Sequence, residues 1–168
     1  ARPGIVVGTG GPLQHWGIGR WCGAGAVKVW GHGQNILPFV LINDVVDGLI
    51  LMANHEKAIG ESFNLIGEPM LSARGYFDEI HKNLDARIRV SSGQPWMLYG
   101  SDAIKYFLKT TVLRRRGLSR PSLRDWKSRA HLSPFSNEKP KQVLGWTAEQ
   151  RKNAFIKTGI INAGLFGF

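Results

Sequence analysis

Cations beside aromatic rings are where this sequence concentrates its chemistry. Arg114-Arg115-Arg116, Arg120, Arg124, Lys127 and Arg129 form a run almost empty of acid, with Trp126 inside it. Guanidinium groups hold phosphate oxygens in bidentate fashion, and an indole beside them permits base stacking. The run therefore reads as a phosphate-contacting loop or as an amphipathic element lying on anionic lipid. A solvated cationic face accounts for it equally well without any ligand. The net charge of +10 over 168 residues favours anionic partners: nucleotide phosphates, nucleic acid or an acidic membrane surface.

Other reactive residue types are sparse. His15 and His32 lie in loop-like stretches without a partner at metal-ligand spacing, so solvated or hydrogen-bonded imidazoles are expected and no metal site is assigned. The single Cys22 excludes an intramolecular disulfide and a cysteine-based zinc site, in keeping with a reducing cytoplasm. Gly17, Gly19 and Gly23 spell G-x-G-x-x-x-G, but a dinucleotide fingerprint follows a strand and opens a helix, and Pro12-Leu13-Gln14-His15-Trp16 precedes this one. No apolar run is long enough to span a bilayer.

The elements that would position these groups are organised around residues 37–49. Leu37 to Ile42 is an apolar run that reads as a buried strand. Asn43 or Asp44 then offers an N-cap, and Val45-Val46, Leu49-Ile50 and Ala53 recur at helical spacing. Such a strand-to-helix junction borders the ligand crevice in open α/β sheets. Upstream, Ile5-Val6-Val7 reads as an inner strand of a parallel sheet. Because the chain has no initiator Met and enters this strand almost at once, it is expected to be a piece of a longer protein. Leu13 to Trp21 suggests a short irregular helix, and Val27-Lys28-Val29-Trp30 a strand followed by a turn.

Farther on, Gly60 to Gly67 gives a short strand, Ser72 caps a helix, and Arg87 to Val90 alternates as a half-exposed strand does. From Pro95 the composition shifts. Trp96 to Tyr99, Ile104, Phe107-Leu108 and Val112-Leu113 form a helical stripe that leaves Lys105 and Lys109 outside it. A helix stopped at Gly145, a packed Trp146, a further helix from Ala148 towards Ile160, and an apolar tail that docks or frays complete the chain.

Four stretches, in order, resemble the C-terminal half of an extended short-chain dehydrogenase/reductase, the NAD-dependent epimerase/dehydratase family. Arg2-Pro3-Gly4-Ile5-Val6-Val7-Gly8 resembles its "RPxxVYGP" strand. Trp30 to Gly33 with Leu37 to Val45 resembles its "GDG…(R)DFVHVDDVA" region. Gly60 to Leu65 resembles "GExYN(I/L)G", and Lys139 to Trp146 resembles the closing "KAxxxLGW" helix. The resemblance implies an α/β fold: the distal part of a Rossmann-like enzyme, short strands with helices and an incomplete parallel sheet. Residues 1–168 would be one substrate-binding region, with a basic insertion at about 95–130.

The family's glycine-rich cofactor loop and Tyr-x-x-x-Lys pair are absent from the chain. Tyr106 and Lys109 are one residue too close, so no catalytic residue is assigned and the chain alone is expected to be inactive. The resemblance implies NAD or NADP bound mainly by the missing N-terminal half, with Arg2, Pro3 and Gly4 lining the nicotinamide end. His15, Arg20, Lys28 and Trp30 would wall the pocket of a small-molecule substrate, a nucleoside-diphosphate sugar by analogy. Two departures mark the site: Ile5 stands where several sugar-nucleotide epimerases place Asn, and Leu37 where they place a phosphate-binding Arg. Arg124, Lys127 or Arg129 would supply that cation. Relatives commonly dimerise, so a homo-oligomer is a further expectation. The alternative is a non-catalytic basic module binding nucleic acid or an anionic membrane surface.

Overall fold

The β-branched, apolar segments near the N-terminus pair in parallel with strands far along the chain. A computed structural model describes residues 1–23, 25–68, 70–131 and 135–164. Strand β1 (Arg2–Pro3) pairs in parallel with β6 (Asn64–Leu65), and β2 (Ile5–Val7) pairs in parallel with β5 (Phe39–Leu41), Ile5 opposite Phe39. A third sheet has the order β3-β4-β7. In it β4 (Ala26–Trp30) runs antiparallel to β3 (Gly19–Trp21) and parallel to β7 (Arg89–Gly93). The architecture is mixed α/β, with the pairings distributed over three small sheets.

Gly4 lies at the junction of β1 and β2, where a Cβ would come 2.0 Å from the Pro38 carbonyl oxygen that accepts the Ile5 N–H. Packing against Pro38 is thus a sufficient reason for glycine there. Val7 is buried and Ile5 and Val6 half-buried. The apolar surface that an unpartnered inner strand would show is found instead on helix α1 (Ile42–Asn54), at Ile42, Val46, Leu49 and Ile50.

The strand-to-helix junction forms as expected, with one correction. α1 starts directly from β5 at Ile42 and has no side-chain cap. The Asp44 carboxylate instead accepts the Glu149 N–H at 3.0 Å, and its carbonyl accepts the Trp146 indole N–H at 2.8 Å. Asp44 is therefore spent on joining α1 to the C-terminal segment. Helix α2 (Ala73–Asn83) is capped by Ser72, whose hydroxyl accepts the Gly75 N–H. Residues 13–21 form no helix: turns lead into β3, because hairpin pairing with Val27–Val29 outweighs any local helical preference.

Two clusters make up the core. In the larger one the inner face of the three-stranded sheet (Val27, Val29) meets Tyr76, Phe77 and Ile80 of α2, Phe39 of β5, and Phe155 and Ile160 near the C-terminus. Burying each such side chain contributes about 1.5–3 kcal/mol. Tyr76 stacks on Phe39 at 5.0 Å and donates its hydroxyl to the Leu13 carbonyl, and its burial holds the phenol well above its ordinary pKa. In the smaller cluster Val40, Val45 and Leu65 pack on Leu144 and Trp146.

The C-terminal elements follow their sequence signals. Gly145, at φ 65°, ends α5 (Glu138–Leu144) in the left-handed conformation that glycine adopts freely, turning Trp146 onto the body. α6 (Lys152–Ile156) continues into a π-helical turn, Lys157–Ile161. The end of the apolar tail, 165–168, lies outside the described residues.

The basic segment is a helical pair packed on the outer face of the three-stranded sheet. α3 (Pro95–Phe107) runs into a π-helical turn (Leu108–Val112), and α4 (Leu123–Arg129) is capped by Ser122. The helical stripe expected here exists, but it faces outward: of its residues only Leu98 is buried. Among the described residues, no helix is long and apolar enough to cross a membrane.

Candidate functional site

Strand alternation decides which side chains meet. On β4, Val27 and Val29 point into the core, so Lys28 and Trp30 share the opposite face. Register places Arg20 of β3 directly across from Lys28, and Ser91 of β7 on its other side. Arg89 opposes Ala26 on this same outer face. Among the described residues none of Arg20, Lys28 or Arg89 forms an ion pair. Like charges directly opposite on neighbouring strands are destabilising, and an anion seated between them removes that penalty.

Helix α4 crosses the end of this face. The Arg129 guanidinium carbon lies 5.4 Å from the centre of the Trp30 ring and 5.1 Å from that of Trp126, and the two indoles are 5.9 Å apart. Trp30 is fixed from the other side, donating its indole N–H to the Trp16 carbonyl at 3.1 Å. Gly31 lets the strand approach the end of α4, where an added Cβ would meet Ala130 at 3.2 Å. A guanidinium lying on aromatic faces keeps its N–H edges free for oxyanions. Arg129 also forms no ion pair among the described residues.

Beside this cluster is a cavity of about 260 Å³, lined by Ile5, Gly17, Leu37 and Pro38 on one side and by Arg129, His131 and Phe135 on the other. It is slightly smaller than the usual range for a ligand pocket, a volume suited to part of a substrate. A larger space of about 870 Å³ lies at the far end of the three-stranded sheet, between Ala26 and the α2–β7 connection. It is a furrow among exposed Lys82, Asn83, Asp85 and Arg87, with no aromatic platform.

The sequence-derived site residues separate into groups. Arg20, Lys28, Trp30 and Arg129 share one face, with Arg129 opening onto the cavity. Arg124 and Lys127 are exposed on α4; Arg124, two residues from Trp126, projects from the opposite side of the helix. His15 is half-buried and does not line the cavity, and burial holds its imidazole below the ordinary pKa. Its Nε2 has no hydrogen-bond partner. Gly17 and Gly19 are explained by packing, against the Ile5 side chain and the Lys28 carbonyl. Arg89 and His131 join the site without a site signal of their own in the sequence: the alternation of Arg87 to Val90 marks the first as a strand residue, and nothing local marks the second.

Arg2 and Pro3 are exposed and Gly4 half-buried, at the end of β1 nearest the cavity wall formed by Ile5 and Pro38. Of the three only Arg2 carries a charge, and the Arg2, Gly4 and Ile5 N–H groups donate to the Phe63, Leu65 and Pro38 carbonyls. Among the described residues no group of His, Cys, Asp or Glu is arranged to hold a metal.

No protein-family profile matches the chain, and no curated protein matches it. Among solved structures, the crystal structure of gox2253 matches with a TM-score of 0.63 at 18% identity, over 98% of this chain and 47% of that one. The chain thus shares the α/β fold of a protein about half of whose length it spans.

Proposed function

We propose that this chain is the substrate-binding portion of a nucleotide-cofactor-dependent epimerase, dehydratase or reductase, and that the cavity beside Arg129 takes the diphosphate end of a nucleotide-sugar-like substrate. The observation that carries this reading is the Trp30–Trp126–Arg129 cluster, which holds at the mouth of the cavity a guanidinium with no ion pair among the described residues. Arg129 takes the place of the cation that Leu37 lacks. Arg20 and Lys28 add positive potential along the same sheet face.

The cofactor in this reading is NAD or NADP, which supplies hydride transfer at the substrate carbinol. It is held by polypeptide preceding β1, and Arg2 to Gly4 contribute only one wall. The residues of this chain bind and orient the substrate; none of them is given a proton to move. The outward face of α1 at Ile42, Val46 and Ile50 is the surface proposed to meet the preceding half. Likeness of fold to gox2253 over nearly the whole chain supports a shared architecture in a longer protein.

Thermal unfolding with uridine diphosphate, and with uridine as the comparison, tests the reading. A ligand that binds only the folded chain raises the melting temperature. Diphosphate-dependent stabilisation is expected, and an equal response to uridine would overturn the assignment of Arg129.

A further inference from the structure

Helix α3 turns its apolar side to solvent. Trp96, Met97, Ile104, Phe107 and Leu108 are between 48% and 66% exposed. At 100° per residue they fall within about one third of the helix circumference. Val112, the last residue of the π-helical turn, and Leu113 after it are exposed as well. On the opposite side, the buried Leu98 packs against the Gly93 position of β7, so the exposed stripe is not the core face of the helix.

Cations border this stripe. Lys105 and Lys109 lie beyond its Leu108 edge, and Arg114, Arg115, Arg116 and Arg120 follow in a segment, 111–120, that is exposed throughout. Asp102 and Asp125 are the only acids between Pro95 and His131. Among the described residues, no cation of this segment forms an ion pair. The exposed face of α1 differs in kind: Asp47 borders it, and the helix carries no cation.

Charge selects the occupant. An isologous pair of chains would press two arginine clusters together. Nucleic acid would satisfy the arginines but leave Ile104, Val112 and Leu113 in water. An acidic bilayer surface satisfies both, because a basic amphipathic helix lies in the headgroup region with its aromatic and aliphatic side chains sunk into the acyl boundary. We propose that α3 and the basic segment after it form a docking surface for a membrane leaflet containing acidic phospholipid. The helix lies flat on the leaflet, Trp96 and Phe107 enter it, and Arg114 to Arg116 meet the headgroup phosphates. Attachment is peripheral and reversible.

The test is co-sedimentation of the whole chain with phosphatidylcholine vesicles, with and without phosphatidylglycerol. Binding is expected only to the acidic vesicles, with weakening as salt is raised. The double variant Ile104→Ser/Phe107→Ser, at exposed positions, should unfold like the wild type and partition at least about tenfold more weakly. Vesicles with brominated acyl chains should quench tryptophan fluorescence, and Trp96→Phe should remove most of that quenching. Equal partition to neutral vesicles, no partition to either, or unchanged quenching in Trp96→Phe would overturn the proposal. So would steeply salt-dependent binding to an oligonucleotide that survives the double variant, or a dimer that this variant dissociates.

Discussion

The Arg129 guanidinium lies over Trp30 at 5.4 Å, joining the C-terminal end of α4 to the last residue of β4. With the Trp126 ring 5.1 Å away, the guanidinium bridges α4 and the sheet and sets a cation at the cavity mouth. A double-mutant cycle on Trp126→Leu and Arg129→Ala, followed by urea unfolding, should give a coupling of about 0.5–1 kcal/mol. Additive losses would mean that the cation and the ring are merely neighbours.

Arg20 and Lys28 face each other across β3 and β4, and neither forms an ion pair among the described residues. Replacing Arg20 by Glu should stabilise the chain by about 0.2–1 kcal/mol in low-salt buffer without phosphate, by converting a like-charge pair into an opposite one. The same variant should lose stabilisation by added inorganic phosphate. A destabilised Arg20→Glu variant would show that this face carries no unrelieved repulsion.

Gly4, which the family resemblance places beside the cofactor cleft, also packs tightly on Pro38. An alanine Cβ would overlap the Pro38 carbonyl oxygen, and backbone on both sides leaves little room to yield. Gly4→Ala should cost at least about 2–3 kcal/mol, at the upper end of ordinary substitutions, as a lower urea midpoint. A loss below about 0.5 kcal/mol would indicate that the β1–β2 junction is pliable.

Acid should destabilise the chain through its carboxylate–cation pairs. Lys139 lowers the pKa of Glu61, Lys141 that of Glu68, and Arg151 holds Glu149 down at about 2. Each contributes stability that is fully present above the unfolded value of 4.5 and is lost as pH falls through the folded value. Asp44 acts in the opposite sense: burial raises its pKa above 3.8, so the folded state holds its proton more tightly and that group opposes folding as pH rises. Melting temperature should therefore fall below about pH 4.5, and Glu68→Gln should flatten part of the fall. An Asp44→Asn variant, whose Oδ1 can still accept the Glu149 N–H, should be no less stable at neutral pH. A marked loss would show that the charge, not the hydrogen bond, holds the C-terminal segment.

Much of the fold was legible wherever a local signal acted alone. The Ser72 cap and the Gly145 stop sit where residue type and spacing put them, and β5 runs into α1 as expected, though without the side-chain cap. Legibility failed where a partner outside the segment itself decided. Asp44 was available as a cap but is taken by Glu149, and Gly19 to Trp21 become a strand only because Val27 to Val29 lie beside them. The site shows the same division. Trp30 and Arg129 were each recognisable as binding types, yet their contact depends on α4 folding back across the sheet, which no spacing in either segment encodes. The stripe on α3 had the right period for a helix, but period does not say which side meets protein.

The most direct measurement is a calorimetric titration of uridine diphosphate into the wild-type chain and into Arg129→Ala at low ionic strength. Saturable binding by the wild type, weakened at least about tenfold by loss of the guanidinium, is the predicted result. No saturable heat at millimolar ligand, or an affinity indifferent to Arg129, would contradict the account.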